Sequence, residues 1–489
     1  MPRDDGGTIL DHRITVIESA WGEVTGPTER RRAGGVPGAA RSSTLRRGVP
    51  AHPVRSAGAG SGGTRSGTVM PGAAADPRGR SIEIGSIPGV GDRAPYVNAR
   101  LQGHTTTIFA EMSALATATG AINLGQGFPD HDGPAEIADA AIAAIGAGRN
   151  QYPPGPGIPE LRAAVADHQR RCYGLDVDPD GQVLVTTGAT EAIAAALLAL
   201  CEVGDEVVMF DPSYDSYAAG VAMAGAVRTV VRLHPPDWTF DPAELAAAVT
   251  PRTRLVLLNS PHNPTGKVFT EDELERVARC CVDHDLLAVT DEVYEHLVFE
   301  GTHIPLATLP GMAKRTVTIS SAGKTFSFTG WKIGWACAPA RLLAAVRAVK
   351  QFLTYVNGAP FQVDIAEALG AGSRFIDGAA DDLRQRRDLL SNGLEELGLT
   401  VYRPAATYFV TTDVSPLGID DAEEFCWSLP ERCGVVAVPS SVFYADPARG
   451  ASLVRWAFCK RPEVLAEALV RLQALRPVQS GRTDAYGDH

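Results

Sequence analysis

Between about residue 97 and residue 475 the chain alternates two hydrophobic periods. Short β-branched or aliphatic runs read as buried strands: Val183–Thr187, Glu206–Phe210, Val227–Leu233, Arg254–Leu258, Leu286–Thr290, Val317–Ile319 and Ile333–Ala336. Segments with helical spacing lie before and between them. They include Thr106–Thr119, Pro134–Gly148, Ile158–Tyr173, Ala192–Cys201 and Glu271–His284. Residues Ala340–Gly370 read as one or two helices broken near Asn357-Gly-Ala-Pro360. Strands alternating with helices predict a mostly parallel sheet covered on both faces. After Asp377 the order changes to helix, short strands (Thr400–Tyr402 and Tyr408–Thr412), helix, strand, helix. The expected fold class is therefore α/β, a large domain with a mostly parallel sheet plus a smaller α+β domain ending near Leu475.

Residues 1–95 show neither period. The segment is rich in Gly, Ala, Pro, Ser and Arg, and cannot bury enough apolar surface to offset its ordering entropy. It is predicted to be a disordered extension, with the working protein beginning shortly before Asn98. Its arginines (Arg30-Arg31-Arg32, Arg41, Arg46, Arg47) lack interleaved aromatics, which weighs against a nucleic-acid arm.

Composition narrows the class. The 489 residues are 45% hydrophobic and carry a net charge of −12, which argues against a nucleic-acid-binding body. No run of about 18 apolar residues suggests a membrane span. Met1-Pro-Arg-Asp-Asp-Gly-Gly lacks the apolar stretch of a secretory signal, so a cytoplasmic protein is expected. The eight cysteines form no Cys-x-x-Cys pair and read as buried free thiols rather than metal ligands.

Parallel sheets place ligand sites at the carboxyl ends of their strands, and the unusual polar residues of this chain fall there. Gly188-Ala189-Thr190 suits a phosphate at a helix N-terminus, or is an ordinary helix cap. Asn259-Ser-Pro-His-Asn-Pro-Thr-Gly266 presents Asn263 rigidly, or is a structural turn; His262 is read as a bystander. Asp291-Glu-Val-Tyr294 offers a carboxylate for a ring nitrogen and a phenol for the same ligand, or an N-cap with a packing tyrosine. Tyr214 can stack on an aromatic ring or simply pack. Lys324 and Lys332 lie in Ser320-Ser-Ala-Gly-Lys-Thr-Phe-Ser-Phe-Thr-Gly-Trp-Lys-Ile-Gly-Trp335. They are surface lysines, or an amine able to form a Schiff base and a partner for it. A phosphate cradle, a ring stacker, a carboxylate, a phenol, an amide and a reactive lysine together meet the requirements of pyridoxal 5'-phosphate.

The motifs Asn123-Leu-Gly-Gln-Gly-Phe-Pro-Asp130, Asn-Pro-Thr-Gly266, Thr290-Asp-Glu-Val-Tyr-Glu295, Ser-Ser-Ala-Gly-Lys-Thr-Phe326, Gly330-Trp-Lys-Ile-Gly-Trp335 and Val454-Arg-Trp-Ala-Phe-Cys-Lys460 carry a resemblance. The chain resembles the class I/II aminotransferases of pyridoxal-phosphate fold type I, over residues 97–475. Within that family it is similar to the kynurenine/glutamine/methionine group. Within that group it is similar to the actinobacterial N-succinyldiaminopimelate aminotransferases, through Gln151-Tyr-Pro-Pro-Gly-Pro-Gly157, Gly188-Ala-Thr-Glu-Ala-Ile-Ala-Ala-Ala196 and Ser260-Pro-His-Asn-Pro-Thr-Gly266. The resemblance implies that Lys324 binds the cofactor aldehyde and moves the Cα proton, and that Asp291 pairs with the ring nitrogen. It implies that Tyr294 and Asn263 bond the ring oxygen and that Tyr214 stacks on the ring. Ala189, Thr190, Ser321 and Lys332 would hold the phosphate, with Tyr152 reaching the phosphate of a neighbouring subunit. Arg455, helped by Asn263 and the Gly127 backbone, would bind the substrate carboxylate.

The implied domains are 1–95, the extension; 96–149, an N-terminal arm with part of the small domain; 150–345, the large cofactor-binding domain; 346–476, a linker helix and small C-terminal domain; and 477–489, a tail. The implied reaction is ping-pong transfer of an amino group between an amino acid and a 2-oxo acid, by a homodimer with shared sites and with no metal. The expected pair is N-succinyldiaminopimelate and 2-oxoglutarate, in lysine biosynthesis. The alternatives are a kynurenine/glutamine/methionine-type aminotransferase and a C–S β-lyase on the same fold. A cofactor-sensing transcription regulator would need a helix-turn-helix pattern before the body, and residues 1–95 show none.

Overall fold

The computed structural model describes residues 96–104 and 107–476; the expectations for 1–95 and 477–489 concern residues outside these. Helix α1 (Ile108–Thr119) starts where the Thr107 hydroxyl accepts the Ala110 amide, and stops at Gly120, which is left-handed. Strand β1 (Ile122–Asn123) and helices α2 (Ala135–Gly146) and α3 (Pro159–Tyr173) follow. The alternating region is β2 (Val183–Thr187), α4 (Gly188–Leu200), β3 (Glu206–Asp211), α5 (Asp215–Ala224), β4 (Val227–Arg232), α6 (Pro242–Ala248), β5 (Thr253–Asn259) and α7 (Glu271–Asp283). It continues through β6 (Leu287–Asp291), β7 (Thr316–Ser321), the short helix α8 (Ala322–Thr325) and β8 (Ile333–Cys337). Helices α9 (Ala340–Leu353) and α10 (Ala359–Gly370) are separated where the sequence breaks, with Pro360 in the first turn of α10. The remainder is α11 (Ala379–Glu396), β9 (Thr400–Tyr402), β10 (Phe409–Asp413), α12 (Ala422–Cys433), β11 (Val435–Val436), β12 (Val438–Pro439), β13 (Leu453–Ala457) and α13 (Pro462–Leu472).

Seven strands form one sheet in the order β2-β8-β7-β6-β5-β3-β4. Strand β8 runs antiparallel to both neighbours and the other pairs are parallel. Pleating sends alternate residues to opposite faces. Val207, Met209, Leu255 and Leu257 pack with α4, α5 and α9, whereas Val208, Phe210, Val256 and Leu258 pack with α6 and α7. Both faces are therefore apolar, which is why these strands read as continuous hydrophobic runs rather than alternating ones. Helix α7 is set by a complete capping box between Thr270 and Glu273.

The smaller sheet is antiparallel in the order β12-β13-β10-β9. Its core draws on α1, α11, α12 and α13, and on Leu124 from the N-terminal segment. Strand β1 pairs in parallel with β11, so residues 122–123 are tied to chain more than 300 positions away. The cysteines are all free; Cys281, Cys337, Cys426, Cys433 and Cys459 are buried, but Cys201 and Cys280 are half-buried and Cys172, at the end of α3, is exposed, so the expectation of buried thiols holds only in part.

Candidate active site

The carboxyl ends of the strands of the large sheet, the N-terminal segment and β13 enclose a cavity of about 750 Å³. Of the residues singled out in the sequence, Tyr152 alone does not line it. Strand β6 ends in Asp291, with its carboxyl buried among apolar neighbours. Burial pushes that carboxyl up to about 6; the Tyr217 hydroxyl, which donates to it at 2.6 Å, the Val293 amide and the charge of Lys324 hold it back. Three residues on, Tyr294 is 3% exposed, and desolvation raises its phenol.

Lys324 stands on the one-turn helix α8, directly after β7. Burial lowers its ammonium to about 8, even though Cys459 and Asp291 favour the charge. The lowered value raises the share of free amine, the nucleophilic and basic form, at physiological pH. Its Nζ donates to Tyr408 Oη at 2.5 Å and lies 3.5 Å from the Gly127 carbonyl oxygen.

One end of the cavity is formed by the first turn of α4. Gly188 has φ of +70°, and its neighbours Ala189 and Thr190 open the helix with unpaired amides. The backbone is packed there without slack. A Cβ on Gly188 would meet Lys332 Nζ at 3.1 Å, and one on Gly334 would lie 2.6 Å from the Gly188 carbonyl carbon. Lys332 itself is left-handed, with φ of 56°, and Asn357 holds its carbonyl at 3.2 Å. Ser321, the last residue of β7, completes this end. Tyr214, the N-cap residue of α5, turns its ring into the cavity, edge-on to Tyr217 at 5.6 Å.

Arg455 comes from β13, in the small sheet. It is 1% exposed and makes no ion pair with a carboxylate among the described residues. Its Nη1 donates to Asn263 Oδ1 at 3.1 Å and its Nη2 to the Gly125 carbonyl at 2.9 Å, while Nε has no partner. The rings of Phe409, Phe443 and Phe109 surround the guanidinium at 4.0, 4.8 and 4.9 Å. Desolvation lowers it to about 10, so it remains charged at neutral pH. A buried cation with spare donors in a cavity wall is a receptor for a carboxylate. Asn263 is aimed by Asn259, whose Oδ1 accepts the Asn263 amide at 2.7 Å. Gly127 faces the same space, where a side chain would collide with Phe409 at 2.3 Å.

Sequence reasoning missed Tyr217 and Tyr408. Each lies in an apolar or small-residue context; Tyr217 lines the cavity, whereas Tyr408 does not and touches the site through Lys324 Nζ. Tyr152 stands on the surface, 82% exposed, with its ring 5.7 Å from that of Tyr355. A separate group joins the buried His168 and Glu295 with the half-buried His296. The two imidazoles hydrogen-bond each other at 2.8 Å, and Glu295 accepts from Tyr173 at 2.5 Å and from Ser320. The imidazoles thus engage each other and the carboxylate engages two hydroxyls, while His168 Nδ1 has no hydrogen-bond partner among the described residues.

The family model for aminotransferase class I and II matches residues 119–472. The chain is 54% identical over 389 residues to the probable N-succinyldiaminopimelate aminotransferase DapC of Mycobacterium tuberculosis, covering 77% of this chain and 98% of that protein. It is 42% identical to the methionine aminotransferase of Escherichia coli, over 76% of this chain and 96% of that one. The solved structure of the M. tuberculosis N-succinyldiaminopimelate aminotransferase superposes with a TM-score of 0.76, covering 78% of this chain and 100% of the other. With Lys324, Asp291 and Arg455 lining one cavity, a family model matching residues 119–472 and a relative 54% identical over 98% of its length, the chain belongs to the class I and II aminotransferases.

Proposed function

We propose that the chain transfers the amino group between N-succinyldiaminopimelate and 2-oxoglutarate, using pyridoxal 5'-phosphate in the cavity. The observation that carries the chemistry is the convergence of Lys324, Asp291 and Arg455 on one cavity. The substrate pair rests on the 54% identity to a protein bearing that name, at 98% coverage of its length.

The residues fit the cofactor. A helix N-terminus with the close Gly188–Gly334 backbone contact and Lys332 suits its phosphate. Ala189, Thr190, Ser321 and Lys332 would hold that group, Tyr214 the ring face, Tyr294 and Asn263 the ring oxygen, and Asp291 the ring nitrogen. When bound, pyridoxal phosphate supplies an aldehyde for the amino group and a ring that takes up the electrons left when Cα loses its proton. Lys324 would be the attachment point for the aldehyde and, as a free amine, the base for that proton. Asp291 would pair with the ring nitrogen, its ionised carboxylate favouring the protonated ring. Arg455, with Asn263 and the Gly127 backbone, fixes the α-carboxylate. Both substrates carry that group, so one guanidinium serves both half-reactions of a ping-pong cycle. Residues 150–345 are assigned to the large domain, and 96–149 with 346–476 to the arm, the linker helix and the small domain. The enzyme is further proposed to be a homodimer whose Tyr152 completes the neighbouring site. Among the described residues no helix is long and apolar enough to cross a membrane.

The test is a donor panel with 2-oxoglutarate as acceptor. N-succinyl-L,L-diaminopimelate should give the highest kcat/KM. Preference for methionine, glutamine or kynurenine would move the assignment to that group, and pyruvate with ammonia from cystathionine would identify a β-lyase.

A further inference from the structure

Tyr408 immediately precedes β10 and is 2% exposed. Its hydroxyl lies 2.6 Å from the Gly127 carbonyl oxygen and 2.5 Å from Lys324 Nζ. A carbonyl only accepts, so the phenol is the donor in this bond. The phenol oxygen is then the acceptor for an N–H of Lys324. Lys324 Nζ lies 3.5 Å from the same carbonyl, which closes a triangle between lysine, phenol and glycine loop.

The phenol is held firmly. The Tyr408 carbonyl accepts the Phe458 amide at 2.9 Å, and Tyr294 and Phe409 pack edge-on against the ring at 5.3 and 4.8 Å. Burial raises this phenol well above its ordinary value, so it stays neutral and does not compete with Lys324 as a base.

We propose that Tyr408 is a further catalytic residue: it holds the Lys324 amine whenever that amine is not covalently engaged, occupying one N–H so that the lone pair faces the cavity. The inference rests on the reading of Lys324 as the reactive amine. A free lysine side chain samples many rotamers, and a fixed acceptor restricts it to those within reach of the substrate. The phenol oxygen also stabilises the ammonium more than the amine. Tyr408 therefore opposes the burial that lowers Lys324.

Tyr408→Phe keeps the ring and removes the hydroxyl. The first readout uses the apoenzyme: the pH dependence of Lys324 modification by fluorodinitrobenzene, followed on its peptide by mass spectrometry. The wild-type midpoint should lie near 8. In the variant it should fall by about 0.5–1 pH unit, because the ammonium loses its acceptor. The second readout is single-turnover Cα deprotonation in the holoenzyme, expected to slow by about 10–100-fold with KM nearly unchanged. An unchanged midpoint overturns the inference, since a purely structural role would lower Tm and leave the midpoint in place. If Tyr408→Phe does not fold, replacing Tyr408 by 3-fluorotyrosine weakens the acceptor at constant shape; the midpoint should move in the same direction by less, and no movement overturns the inference. Because this measurement needs no turnover, it is independent of the proposed function. That reading fails instead if borohydride leaves no pyridoxal phosphate on the wild-type Lys324 peptide.

Discussion

Asp291 carries a cost in the apoenzyme that turns into catalysis in the holoenzyme. Its folded pKa is about 6, against an ordinary value of 3.8. The folded state therefore binds the proton more tightly than the unfolded state. The stabilisation this gives is fully present below about pH 4 and is lost as pH rises through 6. Above pH 6 the apoenzyme keeps an ionised carboxylate in the core, a penalty on the order of 3 kcal/mol from the shift of about two units. Asp291→Asn should therefore raise the apoenzyme Tm at pH 7–8, and the gain should vanish as pH falls toward 4. In the holoenzyme the same change should lower kcat by several orders of magnitude, because an amide cannot hold a ring nitrogen protonated. Scanning calorimetry across pH and single-turnover rates check the two halves; an apoenzyme Tm unmoved at pH 8 would refute the burial argument. Lys324→Ala should leave pyridoxal phosphate without covalent attachment and abolish transfer, and a borohydride-stable adduct in that variant would remove Lys324 from its role. Residues such as these were legible because a charged or amide group stands out at the end of an apolar run. Tyr217 and Tyr408 were not. A tyrosine in such a context reads as packing, and only the fold shows that its hydroxyl meets Asp291 or Lys324.

At the scale of elements, the site depends on two backbones that cross at van der Waals distance. Strand β8 passes the first turn of α4 at Gly334, where a Cβ would stand 2.6 Å from the Gly188 carbonyl carbon and 2.8 Å from the Ala189 nitrogen. Both atoms belong to the backbone and cannot swing aside. Gly334→Ala should displace the amides that face the phosphate, cost about 1–3 kcal/mol of stability, and weaken pyridoxal phosphate binding at least about tenfold by the same strain. Gly330→Ala, with nothing within 4 Å of its Cβ, is the matched control and should stay within about 0.5 kcal/mol of wild type. Equal effects of the two changes would show that the crossing is not what shapes the cradle. The strands themselves were readable because parallel sheet buried on both faces leaves continuous apolar runs. The antiparallel course of β8 was not readable, since direction depends on how the Phe326–Lys332 connection turns and not on the composition of the strand. Arg455 was found through a resemblance in Val454–Lys460. By pattern alone it is a lone cation inside an apolar strand, and its partners Asn263 and Gly125 lie 192 and 330 positions away.

At the scale of the whole molecule, the open surface near Tyr152 bears on the proposed assembly. Tyr152 is 82% exposed, and it stands beside Tyr355 (53%), close in sequence to Phe352 (85%) and Leu353 (47%) at the end of α9. Aromatic and aliphatic groups gathered on a rigid surface mark an interface rather than a solvated loop. The support beneath them is firm. Lys350, 1% exposed, donates to the Gly155 and Tyr355 carbonyls at 3.3 and 2.5 Å, and Gln362 accepts the Ile158 amide at 2.9 Å. A loop held in this way presents a phenol at little entropic cost when it meets a second chain. Tyr152 lies outside its own cavity, so a role for its hydroxyl requires another copy's phosphate site. The expected state is therefore a homodimer, and Tyr152→Phe should weaken pyridoxal phosphate binding by about 1–2 kcal/mol, the scale of a hydrogen bond to a charged group. Light scattering and an equilibrium Kd for the cofactor check the two halves separately. A fully active monomer would exclude the shared site, whereas a dimer with unchanged cofactor affinity in Tyr152→Phe would keep the interface and assign the tyrosine to packing within it.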